Sequence, residues 1–208
     1  MNNSNTPEFI NCKIDKSVTF GKNVKIYPGN IVQGNTHLGD NVVLMPNNYI
    51  CDCTIGDNSI IEYSYLKQSK VGKNVKIGPF CHLRPNSIID DDCKIGNFCE
   101  VKNSHVGGGT KASHLTYIGD SDIGKNCNIG CGVIFVNYNG KIKNKTIVED
   151  NCFIGSNVNL IAPLHIKKGT YICAGSTLTV NTNDYDFVVA RERETIKPKL
   201  AKKFLKEN

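Results

Sequence analysis

Aliphatic or aromatic residues recur every six positions over most of the chain: Ile14, Phe20, Ile26, Val32, Leu38, Leu44 and Ile50, then Val71, Ile77, Leu83, Ile89, Ile95 and Val101. A third run is Val148, Ile154, Leu160, Ile166, Ile172 and Leu178. A period of six fits neither the 3.6 of a helix nor the alternation of a half-buried strand. It is the signature of the coils of a hexapeptide parallel β-helix, an all-β fold. Gly often follows the inward residue and Asn stands two positions later, as in Phe20-Gly-Lys-Asn, Val71-Gly-Lys-Asn and Ile154-Gly-Ser-Asn. Corners between short strands need backbone angles that Gly and Asn reach with least strain. With 26 Asn in the chain, each one is read first as a corner.

Three hexads make one triangular coil, so residues 14 to 180 supply about nine coils at ~4.8 Å spacing, a prism of roughly 40 Å. Each coil buries its aliphatics only against its neighbours, so the ends need caps. Residues 1–12 are assigned as an N-terminal cap, 13–181 as the solenoid and 182–208 as a C-terminal tail. Hexads do not fix the hand, and parallel crossovers are normally right-handed. Five-residue steps from Ile50 to Ile55, Leu66 to Val71, Val101 to Val106 and Ile118 to Ile123 are shortened sides. Between Ile129 and Val148 the phase breaks, and the polar, basic stretch from Asn137 to Lys145 is an excursion of the kind that carries function on rigid scaffolds. The tail ends in Pro198-Lys-Leu-Ala-Lys-Lys-Phe-Leu-Lys, a short amphipathic helical pattern.

Length and composition narrow the class. A chain of 208 residues, 39% hydrophobic and 21% charged, supports one domain. Its apolar runs last only a few residues and its first residues lack a basic and an apolar region, so neither a membrane span nor a signal peptide is expected. The ten cysteines then read as reduced thiols of a cytoplasmic protein. The net charge is +6, and residues 189 to 208 hold seven cations against three carboxylates. Such a tail attracts a phosphorylated ligand or is simply solvated. Without Trp and with 8% aromatics, base stacking on nucleic acid is not supported.

Some residues break the pattern. Arg84 is the only arginine within the solenoid, and Lys102 follows eighteen residues later, one coil on. Together they suit a phosphate. The segment Gly107-Gly-Gly-Thr-Lys-Ala-Ser-His-Leu-Thr-Tyr117 interrupts the aliphatic hexads, and His114 sits in that interruption. Glu100, fourteen residues earlier, is placed to orient its imidazole as a general base. A metal site is not expected: Cys51-x-Cys53 is too short for a zinc knuckle, and Cys99, Cys127, Cys131, Cys152 and Cys173 fall at hexad positions as small apolar fillers.

Ile77-Gly-Pro-Phe-Cys-His-Leu-Arg-Pro85, Ile95-Gly-Asn-Phe-Cys-Glu-Val-Lys102, Lys111-Ala-Ser-His-Leu-Thr-Tyr-Ile-Gly-Asp120, Asn126-Cys-Asn-Ile-Gly-Cys-Gly132 and Asn137-Tyr-Asn-Gly140, in this order, carry a family resemblance. They resemble the acetyltransferase half of the bifunctional glucosamine-1-phosphate acetyltransferase/N-acetylglucosamine-1-phosphate uridyltransferase family. The likeness runs from about Ser17 to Arg191. It implies a left-handed β-helix, a homotrimer with shared sites, and acetyl transfer from acetyl-CoA to the 2-amino group of glucosamine-1-phosphate. Within it His114 matches the general base and Glu100 the carboxylate that orients it. Arg84, Lys102, Tyr117 and Asn128 match sugar-phosphate ligands, and Asn137 and Tyr138 match the loop between the substrates. Lys143 matches a phosphate contact that reaches the site of a neighbouring chain. Ser156, Ala174 and Arg191 match acetyl-CoA contacts, and the main-chain N–H of Cys131, where Ala is usual, matches the oxyanion donor. No Gly-rich nucleotide loop is present, so uridylyl transfer is not expected. An acetyltransferase for another amino sugar and a non-catalytic trimerising module remain as alternatives.

Overall fold

The structure, a computed structural model that describes residues 11–204, winds its strands into three parallel sheets that form the faces of a triangular prism. The first face has ten strands, from Lys13–Ile14 to Thr177–Leu178, and the second nine, from Thr19–Phe20 to Leu164–Ile166. The third has ten, from Lys25–Ile26 to Phe187–Val188. Every third strand pairs in parallel, so inward residues stack coil upon coil, as in Leu83↔Val101 and Ile77↔Ile95. This is the parallel β-helix read from the hexads, and it fits the left-handed form.

Inward aliphatics from Val32 to Leu178 form one continuous buried column. The first coil is looser: Ile14 and Ile26 are half-buried and Phe20 is 40% exposed. That coil has a described neighbour on one side only. Cys53, Cys81, Cys93, Cys99, Cys127 and Cys152 fill inner corners, and burial pushes the Cys93 thiol up to about 11. Cys131 departs from the expected filler role, because it is exposed at an outer corner.

Asn residues turn the corners in left-handed backbone conformations. Their amides ladder between coils, Asn23 donating to Asn41 at 3.1 Å and Asn41 to Asn58 at 3.0 Å. Those four five-residue steps lie at one edge, between the first and second faces, and the excursion from Asn137 to Lys145 leaves from the same edge; one further such step, from Ile61 to Leu66, lies between the third and first faces. Length therefore varies where a corner can absorb it, and strand register is untouched.

Three expectations change. The hexad frame does not lapse before His114. Val106, Ala112 and Ile118 keep it, with Ala112 as a small inward residue, so the absence of a larger aliphatic made the frame look broken. The solenoid also outlasts residue 181, because Phe187–Val188 pairs with Tyr171–Ile172 and closes a further strand of the third face. The helical tail reduces to one 3-10 turn over Leu200–Lys203. Of the assigned N-terminal cap, residues 1–10 lie outside the described part.

Phe135 is the bulkiest fully buried side chain, packed between the inward positions of two coils. Phe135→Ala should cost about 3–5 kcal/mol, measured by urea unfolding. Ile14→Ala in the loose first coil should cost clearly less, and equal losses would contradict the continuous-core account.

Candidate active site

The edge between the third and first faces carries one column. Register pairs align Ile95, Ala112, Ile129, Ile154 and Ile172. Two positions after each stand Asn97, His114, Cys131, Ser156 and Ala174, one coil apart, so the column from His114 to Ala174 spans about 14 Å. The backbone ties the corner together: Asn157 N–H donates to Cys131 C=O and Gly175 N–H to Ser156 C=O, each at 2.8 Å. Beside this column runs one of small residues. A Cβ added at Gly130 would stand 2.6 Å from Gly155 and Ser156 backbone, so no side chain larger than hydrogen fits there.

Corner residues in the left-handed region change character along the edge. Tyr63, Phe80, Phe98 and Leu115 are bulky, exposed and at positive φ, a conformation that costs such residues of order 1 kcal/mol or more each. Phe80 and Phe98 stack at 5.4 Å. From the next coil onward the equivalents are Gly132, Asn157 and Gly175. The apolar ridge thus stops beside His114, and an open strip of small residues begins there. Arg191 lies over its far end, its Cδ 3.6 Å from where a Gly175 Cβ would be.

His114 ends the strand Lys111–His114 and is exposed. Its Nδ1 lies 2.6 Å from Asn97 Oδ1, its register partner. The expected bond to Glu100 is not made. Glu100 follows the corner at Phe98 and so belongs to the first face, where Arg84 Nη1 donates to its Oε1 at 2.9 Å.

The first face beyond that corner collects cations. Arg84 and Lys102 follow the paired residues Leu83 and Val101, which places them one coil apart as the eighteen-residue spacing required. Lys102 Nζ lies 3.5 Å from Asp120 Oδ2. The contact between the Lys143 and Lys102 amines, together with the charge of Asp120, holds Lys102 above the ordinary lysine value. Lys143 is lowered by that contact with Lys102 and further by the charges of Lys102 and Arg84.

Asp120 ties this corner. Burial disfavours its charge, but Asn103 donates at 2.6 Å, Asn137 also donates, and Lys102 stands near, so its carboxyl is held below the usual value. A depressed value means that this stabilisation is present above the unfolded pKa of about 3.9 and is lost as pH falls through the folded one. Asn137 is buried and also reaches Tyr117 Oη at 3.3 Å. The excursion then turns back on itself: Asn144 N–H donates to Asn137 C=O at 2.7 Å and Asn139 caps the tip.

Lys143 therefore lands on Lys102 of its own chain, whereas the resemblance implied a neighbour's site. Tyr138 is exposed, its hydroxyl bonded to Gly140 C=O. Arg84, Glu100, Lys102, Tyr117, Asn137 and Lys143 thus converge on the first face and its edge, while His114, Cys131, Ser156 and Ala174 share the column. Asn128 does not join them: it points outward from the third face, paired between Lys111 and Phe153. Sequence reasoning missed Asn97 and Asp120. The seventeen residues from Asn97 to His114 and from Asn103 to Asp120 were available as one-coil spacings, but Asn had been set aside as corner material. Among the described residues, no group of three or more His, Cys, Asp or Glu side chains is placed to hold a metal ion.

Residues 35–64 and 68–103 match the bacterial transferase hexapeptide (six repeats) family. The chain is 46% identical over 187 residues to the bifunctional protein GlmU of Clostridium kluyveri, covering 90% of this chain and 41% of that protein. It is 49% identical over 184 residues to bifunctional protein GlmU of Clostridioides difficile, covering 88% and 40%. The chain thus spans about two fifths of the length of the curated relatives it matches. Among solved structures, Arabidopsis UDP-N-acetylglucosamine acyltransferase superposes with a TM-score of 0.64 at 15% identity over 85% of this chain and 68% of that one. The Campylobacter jejuni UDP-N-acetylglucosamine acyltransferase gives 0.56 at 17% identity over 84% and 68%. At such identities these two speak for the fold.

Removing the Asp120 carboxylate should release the excursion. Asp120→Ala should raise the rate of tryptic cleavage after Lys141 or Lys143 by roughly a few-fold at temperatures well below unfolding of the solenoid. Mass spectrometry of the early fragments checks this, and unchanged cleavage would mean that Asp120 does not hold the loop.

Proposed function

Because this chain carries the transferase hexapeptide repeat and is homologous to the bifunctional GlmU proteins over about two fifths of their length, we propose that it is an acetyltransferase. It transfers acetyl from acetyl-CoA to the 2-amino group of glucosamine-1-phosphate. The observation that carries this reading is the His114 column, which opens onto a strip of small residues on one side and borders a cluster of three cations on the other. A long thioester arm fits the strip, and a sugar phosphate fits the cluster.

In this mechanism Arg84, Lys102 and Lys143 bind the phosphate, while Tyr117 and Asn137 face the sugar. Phosphate replaces part of the compensation that Glu100 and Asp120 give the cations. His114 accepts a proton from the 2-ammonium group, so that its lone pair forms the C–N bond with the thioester carbonyl. Negative charge collects on the carbonyl oxygen. The main-chain N–H of Cys131, which donates to no acceptor among the described residues, is free to meet it. As the C–S bond breaks, the sulfur leaves as thiolate and takes the proton from His114, while the second of the two protons that the nitrogen must lose passes from the new C–N nitrogen to solvent. Ser156 and Ala174 line the track of the arm, and Arg191 at its end suits the phosphates of coenzyme A.

A homotrimer completes the site. Asn128 and the Arg84–Lys102–Tyr117 group diverge on different faces of one prism, so a single sugar phosphate touches both only where the third face of one chain opposes the first face of another. A cyclic arrangement makes all such sites equal. No helix of the described residues is long and apolar enough to cross a membrane, and a cytoplasmic location suits two polar phosphorylated substrates.

Thiol release on mixing the protein with acetyl-CoA and glucosamine-1-phosphate tests the activity. His114→Ala should bind acetyl-CoA but turn over about 10² to 10⁴-fold more slowly. Retention of more than about a tenth of the rate would refute the general-base role, and a preference for another amino sugar would redirect the substrate.

Mixed oligomers test the sharing. Lys102→Ala and Asn128→Ala chains, each impaired alone, should regain function in about a quarter of the sites when randomly mixed. Activity equal to the mean of the parents would show that both residues act within one chain.

A further inference from the structure

The group that holds His114 is a neutral amide. Asn97 and His114 are register partners on adjacent strands of the third face, both two positions past an inward residue, so the rigid coil spacing aims one side chain at the next. The 2.6 Å separation between Asn97 Oδ1 and His114 Nδ1 is a short hydrogen bond, and an amide oxygen has no proton to give. The proton must therefore be on Nδ1. Nε2 has no hydrogen-bond partner among the described residues. The opposite amide orientation would place an N–H against Nδ1, protonate Nε2 and remove the only outward-facing base.

We propose that Asn97 is the positioning residue of this site, fixing His114 in the Nδ1–H tautomer so that Nε2 is the proton acceptor. The proposal rests on the acetyl-transfer reading for its consequence, though not for its geometry. It assigns to Asn97 the role that the resemblance gave to Glu100, whose carboxylate is engaged by Arg84.

The choice of an amide has a chemical reason. A carboxylate in this place would also fix the tautomer, but it would stabilise the imidazolium and leave the base already protonated near neutral pH. The same solenoid shows that case at His105, whose two nitrogens lie 2.9 Å from Asp90 and 3.1 Å from Asp122. Burial works against its charge, yet the two carboxylates raise its pKa. The ionisable residues on the strands flanking His114 are Lys94 and Lys111 on its own face, Glu100, Lys102 and Tyr117 on the next, and Cys131 lies one coil on. Among these, Glu100 is the carboxylate, and it is occupied. His114 is thus oriented without a countercharge.

The test uses 15N-labelled full-length protein, with the His114 signals assigned by their loss in His114→Gln. Long-range 1H–15N spectra above the titration of the ring should show Nδ1 protonated in the wild type. Asn97→Ala should shift the population towards the Nε2–H form, and Asn97→Asp should keep Nδ1 protonated while raising the midpoint of the ring's titration by about one pH unit or more. In thiol-release assays Asn97→Ala should lower kcat on the order of tenfold or more with little change in either KM. Asn97→Asp should move the acid limb of the kcat profile upward and recover wild-type turnover at high pH. An Nε2–H wild type, or an Asn97→Asp titration that overlays the wild type, overturns the assignment. Spectra as expected from a protein that releases no thiol would instead leave Asn97 in place and overturn the acetyl-transfer reading.

Discussion

Everything in this molecule depends on stacking at a fixed strand spacing. Each coil offers about one inward aliphatic per face, too little to form a core alone, and gains burial only by lying directly over its neighbour. The parallel hydrogen bonds impose the same demand on the backbone. Together they leave little freedom in register: a residue's distance from the inward position decides both its face and its column. Side chains seventeen or eighteen positions apart become neighbours, and the His114 column, the cation pair Arg84–Lys102 and the Asn ladders are three products of one rule.

The fold was legible for that reason. A period of six leaves a mark in every coil, and the one stretch that hid it, around Ala112, did so because a methyl group filled an inward position usually held by a larger aliphatic. The site was only partly legible. Arg84 and Lys102 could be paired from spacing because the step between them is regular. The partner of His114 was misassigned because a carboxylate is the more familiar companion of a catalytic imidazole, and Glu100 is nearly one coil away. Nearly is not enough in a solenoid: three positions move Glu100 round the corner at Phe98 and onto another face. Asp120 went unnoticed for a related reason, since a Gly-Asp pair at a corner looks like a turn until its hydrogen bonds to Asn103 and Asn137 are seen.

The two edges that border the first face divide the work between them. The edge carrying His114 keeps its length in every coil around the site, which suits a row of groups that must address one extended ligand at set intervals. The opposite edge varies, with five-residue corners and the long excursion. It can vary because a corner that shortens or loops out leaves the strands on either side in register. The cations proposed to bind phosphate sit on this adaptable side, where a loop brings Lys143 over Lys102, and the groups proposed for acyl transfer sit on the rigid one.

That division also answers how three cations are kept together before a ligand arrives. Lys102 and Lys143 would repel without Asp120, and Arg84 would stand uncompensated without Glu100. Neither carboxylate touches His114, so the compensation is confined to the phosphate end of the site. A dianionic ligand entering there meets cations already gathered and aimed, while the imidazole, held by an amide, gains no countercharge from the same groups. In the proposed reaction, separating the two jobs by one face of a narrow prism lets strong electrostatics bind the phosphate without protonating the base.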